Sequence, residues 1–263
     1  MSRTVRFIGL GVMGFPMAAR LLAQGLRVQP VDHDAAVLAR WRQAFGQSEA
    51  LGPSEEPCDA VLICVTDEQA SRAVFAQGLP AWRPGTLVIE LGTTSARWAR
   101  EADALARAAG LRYCDSPLSG AAVAAQRGEL VAMLGAHADD VGEARALLAP
   151  LASHVEHLGP PGSGQLCKMA NQLAIAGVAA GLAQAQHFAR AHELDPARVF
   201  EVLSRGSADS VQLRRLRATL VDPANRAAQT FAWLAKDLDL CAAAGAAPLP
   251  LVTLWQTLWN DAR

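Results

Sequence analysis

The sequence predicts an α/β protein in two parts: a doubly wound parallel sheet over residues 1–160, then an all-α domain over 161–263. Three observations carry this. Short β-rich runs alternate with Ala-, Arg- and Leu-rich helical stretches through the N-terminal part, as in a sheet built from strand–helix–strand crossovers. A breaker-rich segment, Gly159-Pro160-Pro161-Gly162-Ser163-Gly164, ends that alternation. Beyond it no strand pattern is found, and a stretch of helical character runs from Gln165 to about His192.

The strands are expected at Val5–Leu10, Val28–Val31, Ala60–Val65, Leu87–Leu91, Leu111–Cys114 and Leu130–Leu134. Helices are expected between them at Met13–Gln24, Asp34–Phe45, Glu68–Phe75 and Ser95–Ala109, the last opened by Ser95 as N-cap and closed by Gly110. The long C-terminal helix would span about 40 Å at roughly 1.5 Å per residue. Shorter helices follow at Pro196–Leu203, Ser210–Leu220 and Thr230–Ala244. Gly177 and Gly181 form a GxxxG in the long helix, which implies close packing of another helix, including one from a second subunit.

Composition narrows the function classes. The 263 residues are 51% hydrophobic and 19% charged, enough apolar surface for a core and no case for disorder. A net charge of −1 gives no electrostatic footprint for nucleic acid or an anionic membrane. The five cysteines are scattered without CxxC spacing, as expected of free thiols in a reducing compartment, so a cytoplasmic location is expected. Met1-Ser2-Arg3 leads straight into an apolar strand, with no secretory leader expected. The longest uncharged apolar run, Leu173 to Ala183, falls short of the roughly 18 residues of a membrane span and reads as a buried helix. His154, His157, His187 and His192 lack ligand spacing, so no metal is expected. Gly159 and Gly164 have phosphate-loop spacing, but Gln165 stands where the lysine of such a loop belongs.

Gly9-Leu10-Gly11-Val12-Met13-Gly14 is a GxGxxG that follows an apolar strand and opens a helix, and Asp32 ends the next strand. That context makes it a Rossmann dinucleotide fingerprint. Gly9 allows the tight turn, Gly11 clears the way for a pyrophosphate, and Gly14 lets helix pack on strand. The helix N-terminus supplies N–H groups and positive dipole to the phosphates. Asp32 would accept bonds from the ribose hydroxyls of NAD and repel a 2′-phosphate, although an Asp there can instead cap the next helix. NAD is the expected cofactor; NADP stays open because His33, Arg27, Arg40 and Arg42 are near in sequence.

At this point the chain resembles the β-hydroxyacid dehydrogenases, the family of 3-hydroxyisobutyrate dehydrogenase and tartronate semialdehyde reductase. The matching segments are the glycine motif with Met17, Asp115-Ser116-Pro117-Leu118-Ser119-Gly120, Gly162-Ser163-Gly164 leading to Lys168 and Asn171, and Lys236-Asp237-Leu238. The resemblance implies a substrate motif in which Ser119 and Gly120 hold a carboxylate, and a helical domain like that of 6-phosphogluconate dehydrogenase. Ala121 replaces a family glycine, so a Cβ narrows the space there. Val65 and Thr66 stand in the family's cofactor loop, Thr93 matches its cofactor-contacting threonine, and Lys236 falls at the cofactor and substrate cleft. On the residues alone, Lys236 beside Asp237 reads equally as a solvated helix face.

Lys168 lies four residues past Gly164, at the helix end where a cation meets an unfavourable dipole. A cleft at that end would pull an amine's pKa down from about 10.4, as proton transfer requires. Asn171 and Gln172 follow at i+3 and i+4 and share its face. The resemblance makes Lys168 the catalytic acid/base, with Asn171 and Gln172 orienting the substrate. The expected activity is hydride transfer between NAD(P) and a small β-hydroxyacid or its semialdehyde, in a homodimer or homotetramer. Two alternatives stand beside it: an imine or other carbonyl reductase of the same architecture, and a non-catalytic NAD(P)-binding regulator.

Overall fold

The structure is a computed structural model that describes residues 3–46, 57–221, 232–245 and 249–253. The chain divides into two compact units, Met1–Lys168 and Met169–Arg263, the division falling inside a helix that begins in the breaker segment.

The first unit is built on an eight-stranded sheet. β1 (Thr4–Ile8), β2 (Arg27–Val31), β3 (Ala60–Ile63), β4 (Leu87–Glu90) and β5 (Arg112–Asp115) lie parallel in the order β2-β1-β3-β4-β5. The register runs Val5↔Val28, Val5↔Ala60, Ala60↔Leu87 and Leu87↔Arg112. The crossovers are α1 (Gly14–Ala23), α2 (Ala35–Phe45), α3 (Glu68–Gly78) and α4 (Ala96–Ala108). As expected, Ser95 Oγ accepts from Trp98 N at 3.0 Å, and Gly110 follows α4 with φ +73°. Every residue of β3 and β4 is buried, which is why both read as apolar runs, broken only by Glu90 at the end of β4.

Beyond β5 the sheet changes direction. β6 (Leu118–Ser119) leads through α5 (Ala122–Arg127) into β7 (Leu130–Ala136), which runs antiparallel to both β5 and β6. A short 3-10 turn and α6 (Val141–Leu148) return the chain to β8 (Ala152–Gly159), parallel to β7 at the sheet edge. Of these elements the sequence pattern predicts β7 but not β6, β8, α5 or α6. β8 exposes Ser153, His154, Glu156 and Leu158, so it has no apolar run, and its strand character comes from pairing with β7.

Two apolar layers flank this sheet. Phe7, Leu10, Met17, Leu21, Leu62, Ile89 and Leu134 belong to one, and Val61, Ile63, Val88, Trp98 and Tyr113 to the other. Phe75 anchors the second layer, meeting Trp82, Trp98 and Tyr113 edge-on at centroid distances of 5.7, 5.3 and 5.7 Å.

The last residue of β5, Asp115, turns its carboxylate onto the start of α7 (Ser163–Ala191). Oδ1 accepts from Gly162 N at 2.6 Å and Oδ2 from Gln165 N at 2.8 Å. A Cβ at Gly164 would meet Asp115 Oδ2 at 2.8 Å and the Met133 carbonyl, and one at Gly135 would meet Asp115 Oδ1. Both positions therefore exclude any larger residue. Burial pushes the Asp115 carboxyl up to about 6, against the opposing pull of the bonds from Gly162 and Gln165.

The second unit is helical in its described residues. The remainder of α7 is joined by α8 (Pro196–Leu203), α9 (Val211–Val221) and α10 (Ala232–Ala244). The expected start of the last helix at Thr230 lies outside the described residues. Met169, Ala176 and Ala179 pack with Leu234, Leu238, Cys241 and Val252, while Leu182 packs with Phe200 and Leu213. By length and composition alone, α7 is able to cross a membrane: it has 29 residues and a best-window mean hydropathy of 1.3. Close backbone packing at the GxxxG is not made among the described residues. A Cβ at Gly181 would meet nothing within 4 Å, and one at Gly177 only Leu251 Cδ2 at 3.8 Å.

Phe75→Ala should cost about 3–5 kcal/mol of unfolding free energy, because three facing rings cannot collapse into the space; urea denaturation measures it. A second outcome follows from Asp115. Its raised folded-state value means that its contribution to stability is fully present below about pH 4 and is lost as pH rises through 6. The loss is on the order of 3 kcal/mol. The stability difference between wild type and Asp115→Asn, followed by urea midpoints from pH 4 to 7, should shrink by that amount; a flat difference would contradict it.

Candidate active site

The loops that follow the parallel strands carry most of the residues singled out from the sequence. Gly9 to Gly14 follow β1, Asp32 follows β2, Val65 and Thr66 follow β3, Thr93 follows β4, and Ser119 and Gly120 close the β5–β6 segment. This carboxyl end of a doubly wound sheet is where such folds bind ligands.

The three motif glycines have different surroundings. Gly9 has φ +93°, and its absent Cβ would strike the Cys64 carbonyl; one at Gly14 would strike the Gly9 carbonyl. A Cβ at Gly11 meets nothing within 4 Å among the described residues. Two glycines are thus explained by internal packing, and Gly11 is not. The first turn of α1 has no side-chain cap and no acidic residue, which leaves its N–H groups to an anion. These residues fit a dinucleotide pyrophosphate, with Leu10, Val12 and Met13 supplying the intervening backbone.

Asp32 is held firmly beside this loop. Oδ2 accepts from Leu10 N at 2.6 Å and Oδ1 from Asp34 N at 2.9 Å, with His33 Nδ1 at 3.2 Å. Capping of α2 falls instead to Asp34, whose Oδ1 accepts from Ala36 N at 2.8 Å. Asp32 therefore ties the end of β2 to the glycine loop. In the β3–α3 loop, Thr66 Oγ1 donates to Asp67 Oδ2 at 3.0 Å, and Asp67 caps α3 through Ala70 N. Val65 packs on the second apolar layer.

The β4–α4 loop is fixed from two sides. Buried Glu90 accepts from Gly92 N at 3.1 Å and from the Ser71 hydroxyl, which in turn accepts from Trp98 Nε1 at 2.9 Å. From α7, Gln165 Oε1 accepts from Thr94 N at 3.0 Å, and its Nε2 donates to Gly92 O at 2.9 Å. Thr93, half-buried, stands between these two fixed residues.

Lys168 is 9% exposed and donates from Nζ to Leu118 O at 2.9 Å, placing its amine beside Ser119 and Gly120. Gly120 has φ +137°, a conformation that L side chains rarely adopt. Ala121 has φ −115° and ψ 178°, so alanine stands there without backbone strain.

Asn171, Gln172 and Lys236 belong to the second unit. Asn171 Nδ2 donates to Gln172 Oε1 at 2.8 Å, and Gln172 Nε2 donates to Asp237 Oδ2 at 2.6 Å. Gln172 and Asp237 are both buried, whereas the Lys236 side chain is exposed, with Nζ 3.5 Å from Asp237 Oδ1. Gln172 thus joins α7 to α10 through Asp237, a partner 65 residues away that no local pattern signals. Asp115 and Gln165 also receive no role from the sequence pattern; the available signal is a carboxylate closing an apolar strand and an amide opening a long helix. A cavity of about 550 Å³ is lined by Gly11 and Val12 of the glycine loop, by Phe15 and Arg20 of α1 and by Arg40 of α2.

Comparison with known proteins places the chain in a family. Residues 4–159 match the family of the NAD binding domain of 6-phosphogluconate dehydrogenase. Residues 162–263 match the NAD-binding domain of NADP-dependent 3-hydroxyisobutyrate dehydrogenase. An uncharacterized oxidoreductase of Shewanella frigidimarina is 34% identical over 98% of this chain and 91% of its own. The L-threonate dehydrogenase of Cupriavidus necator is 36% identical over 80% of this chain and 72% of its own. Among solved structures, Mycobacterium tuberculosis 3-hydroxyisobutyrate dehydrogenase with L-serine superposes with a TM-score of 0.84 at 28% identity, covering 99% of this chain and 94% of that one. The chain belongs to the β-hydroxyacid dehydrogenase family, NAD(P)-dependent oxidoreductases that act on CH–OH groups.

Proposed function

We propose that this enzyme interconverts a small β-hydroxyacid and its semialdehyde, with Lys168 as the general acid/base. The observation that carries the reading is a nearly buried lysine amine at the opening turns of α7, bonded to the carbonyl immediately before Ser119. A lysine needed only for solubility would be exposed, and a buried one is retained where its proton has work to do.

Gly9, Leu10, Gly11, Val12, Met13 and Gly14 hold the pyrophosphate, and Asp32 accepts from the adenosine ribose, which favours NAD over NADP. Val65, Thr66 and Thr93 line the same cofactor, and Lys236 adds a cation for its negative charge or the substrate's. When bound, the nicotinamide supplies the hydride acceptor or donor. Ser119 Oγ and the Gly120 amide hold the substrate carboxylate. Asn171 and Gln172 orient its hydroxyl. Lys168 takes the hydroxyl proton as the carbonyl forms and returns it in the reverse direction; Leu118 O receives the amine when no substrate occupies it. A carboxylate-bearing hydroxyacid as substrate agrees with the names of the relatives, L-threonate dehydrogenase among them. Assembly as a dimer or tetramer is part of the same reading: it would give Gly177 and Gly181 the close neighbour they lack among the described residues.

The test is a panel of L-serine, L-threonate and 3-hydroxyisobutyrate with NAD and NADP, followed by reduced-cofactor absorbance. Wild type should turn over at least one acid, with NAD preferred. Lys168→Ala should lower kcat roughly 100- to 10,000-fold, the usual range for a general acid/base, and leave cofactor binding nearly intact. Retention of wild-type kcat would remove Lys168 from the mechanism.

A further inference from the structure

Within the first unit, one buried amide connects the two sides of the proposed reaction. Gln165 is fully buried and bonded through three atoms. Its backbone N–H is held by Asp115 at the end of β5, its Oε1 by Thr94 N, and its Nε2 by Gly92 O. Gly92 and Thr94 flank Thr93, on the cofactor side. Lys168 lies three residues further along α7, less than one helical turn and about 4.5 Å of rise away.

We propose that Gln165 is a positioning residue that fixes the Thr93 loop at a set distance from the Lys168 amine, and so aligns cofactor and substrate for hydride transfer. The inference rests on the dehydrogenase reading above. The physical case is that each polar atom of this side chain points at the same three-residue loop, where it can exchange neither partner for water. Loop residues 92–94 are also gripped by Glu90 from the opposite side, so the loop cannot drift without breaking bonds at both ends. Displacement by about 1 Å at a reacting centre is enough to cost up to about 100-fold in rate. Gln165 touches no reacting atom, and its effect would pass through Thr93 and Lys168.

Two variants test this. Gln165→Met keeps the side-chain length and removes both bonds. Gln165→Glu keeps both only while its carboxyl is protonated, since the acid form accepts from Thr94 N and donates to Gly92 O whereas the carboxylate cannot donate. Asp115 and Glu90 are the charged groups flanking that position, with Arg100 beyond Asp115, so each variant is compared with wild type at every pH. Three readouts apply: amide exchange at Thr94, steady-state kcat and KM, and the deuterium isotope effect with substrate labelled at the reacting carbon.

For Gln165→Met we expect faster Thr94 exchange, kcat lowered about 10- to 100-fold with KM little changed, and a larger isotope effect as hydride transfer becomes slower. For Gln165→Glu the ratio of its kcat to wild type should rise as pH falls, a recovery that Gln165→Met does not share. Faster Thr94 exchange with unchanged kcat and isotope effect in both variants would overturn the proposal and leave Gln165 as a staple of the fold. Absence of turnover in wild type would instead overturn the dehydrogenase reading on which it rests, and the two failures are told apart by which protein shows them.

Discussion

The geometry of the first unit depends on one buried carboxylate. Asp115 closes the last parallel strand and accepts from Gly162 N and Gln165 N at the opening of α7, so these bonds and the positive end of a long helix offset part of the cost of burying its carboxyl. The arrangement requires glycine at 135 and 164, because a side chain at either would displace the carboxylate or the backbone beside it. Those constraints fix where α7 begins relative to the sheet. Gln165 and Lys168, in the first turns of α7, take their positions from that contact.

A second regularity concerns which cation is used. Of the 24 basic residues only two are lysines, Lys168 and Lys236, and both lie in segments shared with the family. Arginine serves where a permanent charge is wanted, as in the Arg112–Glu143 and Arg72–Glu101 pairs. A guanidinium stays protonated under any working condition and cannot exchange a proton with substrate. A chain that otherwise favours arginine so strongly has kept an amine where proton transfer is proposed. That bias supports a chemical role for Lys168 independently of its burial.

Much of this was legible in the sequence because it depends on local covalent geometry. The glycine motif needs a tight turn and a close helix, and Gly9 and Gly14 show both. Ser95 caps α4 within three residues of itself. What was not legible depends on partners far along the chain. Asp115 finds Gly162 across 47 residues, and Gln165 finds Thr94 across 71. A polar residue in the sequence gives no sign of which distant backbone group will satisfy it. The same applies to β8, which becomes a strand only beside β7, and to Gln172, whose amide is engaged by Asp237. Asp32 illustrates the intermediate case: its place beside the glycine loop followed from spacing, whereas its bond to Leu10 N did not.

The central claim is that the amine of Lys168 receives the substrate's hydroxyl proton from its place beside Ser119. The most direct measurement is the distance from Lys168 Nζ to the substrate hydroxyl oxygen in a crystal structure of the complex with oxidised cofactor and a hydroxyacid. The account requires Nζ to leave Leu118 O or share it and to stand about 2.6–3.2 Å from that oxygen. A hydroxyl bonded to another side chain, with Nζ still on Leu118 O and beyond reach of that hydroxyl, would contradict it.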